Sequence, residues 1–139
     1  MRNFFVFVFG VFFFILAANV TLHAQAEPVL YLCVEYGDDG EESISDVFTT
    51  GYLTVVVKSD TKLGLEDVHI QFDKYNFKKD KWEFYKKFDY TIQPSHKYVY
   101  FSRNDDSDMS FDETGFFRVY LLDDDDKVVA STIVKIIEK

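Results

Sequence analysis

The sequence predicts an all-β fold: a seven-stranded antiparallel β-sandwich, two packed sheets, behind a cleavable export leader. Three observations carry that expectation. Apolar and polar side chains alternate along the chain after residue 26, turn-rich stretches interrupt the alternation at short intervals, and no stretch there repeats its apolar residues at helical spacing.

The leader comes first. Residues 1–26, "MRNFFVFVFGVFFFILAANVTLHAQA", place one basic residue, Arg2, before an apolar stretch from Phe4 to Ala18 and a polar tail, the layout of a secretory signal peptide. Ala24 and Ala26 supply the small residues that a signal peptidase accepts, so cleavage is expected before Glu27. The apolar stretch is shorter than the roughly 20 residues of a membrane-spanning helix and no second run follows, so no stable membrane insertion is expected after cleavage. Cys33 follows Tyr31 and Leu32 rather than the small residues of a lipidation site. A soluble exported protein, periplasmic or extracellular, is expected, with residues 27–139 as its one domain.

Seven strands are expected near residues 29–36, 52–58, 68–75, 82–92, 97–103, 116–122 and 127–137. In the second, "GYLTVVVKS" sets Leu53, Val55 and Val57 on one face. In the third, "VHIQFDKY" sets Val68, Ile70 and Phe72 against His69, Gln71 and Asp73. Parity in the fourth makes Trp82, Phe84, Phe88 and Tyr90 core residues and turns Tyr85 outward. Val99 and Phe101 take the inner face of the fifth, and Phe117, Val119 and Leu121 that of the sixth. In the seventh the uncharged even set, Val128, Ala130, Thr132, Val134 and Ile136, should face them. The joining segments, among them "GDDGEESISD", "NFKKDK" and "NDDSDMSFDETG", are rich in turn-forming residues. Between the last two strands "LLDDDDKVVAS" suggests a two-residue turn at Asp124 and Asp125, with Asp123 facing Asp126.

The segment "ETGFFRV", Glu113 to Val119, resembles the entry to the sixth strand of immunoglobulin-like domains, where an acidic residue, a glycine, a tyrosine and a cysteine alternate. Glu113, Gly115, Phe117 and Val119 stand at those positions. The resemblance implies an immunoglobulin-like sandwich. It also implies one without the tyrosine-corner hydrogen bond, since Phe117 has no hydroxyl, and without the inter-sheet disulfide, since Val119 replaces the cysteine.

Composition narrows the function. Losing Arg2 with the leader makes the domain one unit more negative than the full chain's −9, and so acidic a surface repels nucleic acid. The nine Phe and nine Tyr after residue 26 argue against disorder, because such a chain can bury enough apolar area to offset its ordering entropy. Cys33 is the single cysteine, so no internal disulfide and no four-cysteine metal site can form.

Four groups of residues are candidate sites. Outward parity assigns Tyr75, Tyr85, Tyr98 and Tyr100 to a surface that could stack on sugar rings or anchor a protein. Lys78, Lys79, Lys81, Lys86 and Lys87 form a basic island that could dock an acidic partner, the acidic loops of another copy included. Asp38, Asp39 and Glu41 with Asp105, Asp106 and Asp108 could converge on calcium from two loops. His69 and His96 fall in no nucleophile or metal spacing. The expected function is therefore non-catalytic binding of a protein or glycan partner, with no cofactor required and calcium the one candidate. A carbohydrate-binding module is the alternative and a hydrolase the third reading, which a buried His69 beside a carboxylate would favour.

Overall fold

The computed structural model describes residues 27–139, and the leader predicted for residues 1–26 lies outside the described residues. The described chain is all β. Its strands are β1 (Val29–Cys33), β2 (Glu35–Gly37), β3 (Gly40–Glu42), β4 (Val47–Thr49), β5 (Gly51–Tyr52), β6 (Thr54–Lys58), β7 (Asp67–Asn76), β8 (Lys81–Thr91), β9 (Tyr98–Phe101), β10 (Ser110–Phe111), β11 (Gly115–Asp123) and β12 (Val128–Ile137). The seven predicted strands correspond to β1, β6, β7, β8, β9, β11 and β12. The five others are two or three residues long and carry too little alternation to stand out.

A three-stranded sheet, β1-β6-β9, and a five-stranded sheet, β4-β12-β11-β7-β8, account for the long strands, and two-stranded pairs β2-β3 and β10-β5 complete the fold. All pairings are antiparallel except one. β4 runs parallel to β12, with Val47 opposite Lys135 and Thr49 opposite Ile137, so the expectation of a wholly antiparallel fold is corrected. The chain crosses from the small sheet to lie along the free edge of β12, held by N–H bonds from Lys135 to Asp46 O (2.8 Å) and from Thr50 to Ile137 O (3.1 Å). That contact pairs an edge that would otherwise be open.

Period-2 alternation builds the core. Val55 and Val57 project from the small sheet, and Ile70, Phe72, Phe117 and Val119 from the large one; all are fully buried in a single cluster. The loop between β9 and β11 adds Met109 and Phe111. Phe111 stacks on Phe72 at 4.6 Å and meets the edge of Phe117 at 5.0 Å.

A β-bulge overturns the parity read along the fourth predicted strand. Lys86 lies opposite Phe72 and Phe84 opposite Asp73, so Tyr85 is the extra residue on β8. Beyond it the faces exchange. Phe88 and Tyr90 pack on the core as expected, whereas Trp82 and Phe84 lie on the outer face, Phe84 being 66% exposed. Tyr85 turns inward against Phe117, ring centroids 5.1 Å apart, instead of outward. Tyr85→Ala should therefore lower stability by about 2–3 kcal/mol in urea denaturation, somewhat below the range for fully buried aromatics. A loss under about 0.5 kcal/mol, typical of surface positions, would return Tyr85 to the outer face.

The aspartate run is a turn, built differently from the two-residue form. Asp126 N–H donates to Asp123 O at 3.0 Å and Asp126 adopts φ 62°, so Asp123 pairs with Lys127 across a three-residue loop. The Asp123 carboxylate accepts from the N–H groups of Asp125 (3.0 Å) and Lys127 (2.8 Å), and Lys87 reaches Asp126 at 2.5 Å. Ala130, Val134 and Ile136 face the core as the alternation predicts. Val128, next to the register shift at Leu121/Leu122, is instead 58% exposed.

Candidate interaction surfaces

Alternation that fills the core also decides what the other side of each sheet presents. On the large sheet the register sets Arg118 opposite Ile133 and Asp73, Phe116 opposite Lys135, and Trp82 opposite Tyr75. The rings form a continuous chain. Phe116 meets Phe77 at 5.9 Å, Phe77 meets Tyr75 at 4.9 Å, Tyr75 meets Trp82 at 5.1 Å, and the Arg118 guanidinium lies 4.4 Å over Trp82. Phe77, Phe84, Ile133, Ile137 and Val47 stay exposed beside them. Arg118 and Lys135, the latter 5.8 Å from the Phe116 ring, form no ion pair among the described residues. Exposed rings and aliphatic side chains thus surround two cations that no carboxylate compensates among the described residues. Only the bulge at Tyr85 puts Trp82 and Phe84 there, which is why alternation alone misses the patch.

The outer face of the small sheet is covered. The segment "GDDGEESISD", expected as an open loop, folds as the β2-β3 hairpin over it. Glu41 is the latch: its Oε1 accepts from Tyr31 Oη (2.5 Å) and Tyr98 Oη (3.0 Å) and pairs with Lys58 Nζ at 2.7 Å. Lys58 and then Tyr31 hold the Glu41 carboxyl down to about 2, and Glu41 in turn raises Lys58 above its ordinary value. Val56 and Cys33 are fully buried although their strands' alternation points them away from the main core. Burial above all pushes the Cys33 thiol up, leaving it inert rather than presented for pairing with another molecule.

Beside the hairpin lies a cleft of about 720 Å³. Its lining includes Tyr36 of the hairpin, stacked on exposed Tyr100 at 4.2 Å and 11°, and Arg103, which lies 4.5 Å over the Tyr52 ring. The Thr54 and Ser102 hydroxyls, 2.9 Å apart, line it as well.

The candidate residues named from the sequence thus scatter. Of the tyrosines, Tyr75 joins the aromatic face with its hydroxyl donating to Asp80, Tyr98 belongs to the Glu41 latch, Tyr100 lines the cleft, and Tyr85 is packed inward. The basic island divides. Lys78, Lys79 and Lys81 lie on or next to the β7-β8 turn, Lys87 reaches the aspartate turn, and the bulge turns Lys86 to the opposite side, where it binds Asp112 at 2.9 Å and Asp108 at 3.1 Å. The six acidic residues do not converge: among the described residues no cluster of three or more carboxylate, imidazole or thiol groups could hold a metal. Lysines already occupy Glu41 and Asp108. His69, half-buried, does stand beside a carboxylate, Nδ1 to Asp89 at 2.6 Å, but its other nitrogen faces Asp126 at 3.9 Å rather than a hydroxyl or thiol.

No family model matches the chain, and no curated protein matches its sequence.

Proposed function

We propose that this chain is an exported, non-catalytic immunoglobulin-like domain that binds a protein partner through the outer face of its five-stranded sheet. Support for the topology comes from the strand orders β1-β6-β9 and β12-β11-β7-β8. These orders are what an immunoglobulin-like sandwich with its fourth strand beside the third would give. The observation that carries the function is the exposed aromatic chain from Phe116 to Trp82 with Arg118 stacked on it, because aromatic and arginine anchors dominate the energetics of protein interfaces. The signal-like composition of residues 1–26 favours export, and the acidic surface disfavours nucleic acid.

The test is a photo-crosslinking residue at Phe84, with a control at the exposed loop residue Thr61, in the protein expressed with its leader in its native host. The expected result is an adduct of defined mass from Phe84 and not from Thr61. Equal labelling at both positions, or none at Phe84, removes the reading.

The cleft favours a second reading, a carbohydrate-binding module. The free outer face of the Tyr36–Tyr100 stack, with Arg103 and the Thr54 and Ser102 hydroxyls lining the same cleft, suits a sugar ring. On a glycan array, Tyr100→Ala and Arg103→Ala should each lower retention about tenfold or more, an anchor-sized loss. A wild-type protein that retains no glycan excludes this reading.

A further inference from the structure

The outer face of the large sheet is polarised along its strands. At one end are the β7-β8 turn with Lys78, Lys79 and Lys81, the last two sharing the single carboxylate of Glu83 at 2.8 and 3.8 Å, and Lys135 near the end of β12. At the other are Asp67 and Asp89, opposite Thr91 and His69, and the turn from Asp123 to Asp126. Arg118, Tyr120 and Gln71 lie between, in register across β11 and β7.

We propose that this face pairs with the same face of a second copy, the two sheets running in opposite senses about a two-fold axis near Tyr120 and Gln71. The pairing rests on the docking role of the face and names its occupant. A two-fold axis lying in the interface and perpendicular to the strands exchanges the ends, so the lysine end of each copy meets the aspartate end of the other twice over. The opposite orientation would set lysines on lysines and aspartates on aspartates. The four long strands at about 4.8 Å spacing, with some seven residues of shared length at about 3.4 Å, give a footprint on the order of 450 Å² before side-chain relief. That is commensurate with the roughly 800 Å² of accessible surface per partner in a standard interface. Lys135, which makes no ion pair among the described residues, comes to the aspartate turn of the other copy in this arrangement.

Sedimentation velocity at near-physiological salt tests it with two charge-reversed variants, each checked for an unchanged melting temperature. One carries Lys81→Glu and Lys135→Glu, the other Asp89→Lys and Asp124→Lys. The wild type should be dimeric at about 10–100 µM, the affinity range of a modest interface. Each variant alone should be monomeric, and an equimolar mixture should be dimeric again, because the reversed lysine end of one now matches the reversed aspartate end of the other. A monomeric wild type, or a mixture that stays monomeric, overturns the pairing. Should that happen while the Phe84 crosslinker labels a different protein, self-pairing fails and the docking role survives; with no labelling, both fail.

Discussion

Phe72→Ala should cost about 3–5 kcal/mol of folding stability, the range for a fully buried aromatic whose cavity cannot collapse. Phe72 lies on β7, inside the five-stranded sheet, opposite Val119 of β11 and directly across from the β8 bulge. Its ring stacks on Phe111 and takes the edge of Phe88 at 6.1 Å, so one side chain joins the β9–β11 loop, the central strand and the edge strand. Against a typical total of about 5–15 kcal/mol, the loss would bring the domain near its unfolding threshold. The matched control is Phe84→Ala, the same side chain removed from the neighbouring strand but from the exposed side of the bulge. It should change stability by no more than about 0.5 kcal/mol. Urea denaturation of the three proteins decides. If the two alanine variants lose comparable stability, the faces of β8 have been assigned wrongly.

Alternation was enough to locate the long strands and most of the core, because a strand with one buried face must repeat its apolar residues every second position. It was blind to whatever breaks that period. The bulge at Tyr85 is one residue in "WEFYKKFDY", all of it compatible with a strand, and nothing local marks where the ladder slips. One slipped residue moved Tyr85 into the core and Trp82 and Phe84 out of it. The exposed aromatic face was therefore hidden: of its residues only Tyr75 was read as outward, while Trp82 and Phe84 were read as core. The β2-β3 hairpin was missed for a different reason. Its acidic sequence reads as a solvated loop, and what holds it down is Tyr31, Lys58 and Tyr98, one side chain from each strand of the small sheet. Cross-sheet partners of that kind leave no local signal. The aspartate run was legible as a turn, but the left-handed residue at Asp126 that makes it a three-residue loop was not, since asparagine or glycine would be its usual marker.

That hairpin latch sets the expected response to acid. The Glu41 carboxyl lies at about 2 in the folded chain, against 4.5 as its ordinary value, with Lys58 first and Tyr31 second among the causes. A depressed carboxylate contributes stability that is fully present above the unfolded value and is lost as pH falls through the folded one, so the window runs from about 4.5 down to about 2. Across it the wild type should lose stability faster than Glu41→Gln, which keeps the side chain's shape but has no proton to take up in this range. The melting temperatures of the two proteins should therefore differ most near neutrality and converge toward the bottom of the window. Local opening gives a second readout, because Cys33 is buried on the hairpin side of β1, with its thiol 3.4 Å from the Glu35 carbonyl. At neutral pH Glu41→Gln should speed labelling of Cys33 by a thiol reagent about tenfold, through more frequent lifting of the hairpin without global unfolding. Parallel melting curves across the whole pH window, together with unchanged labelling, would mean that packing on Val56 holds the hairpin down and that the Glu41 cluster is incidental.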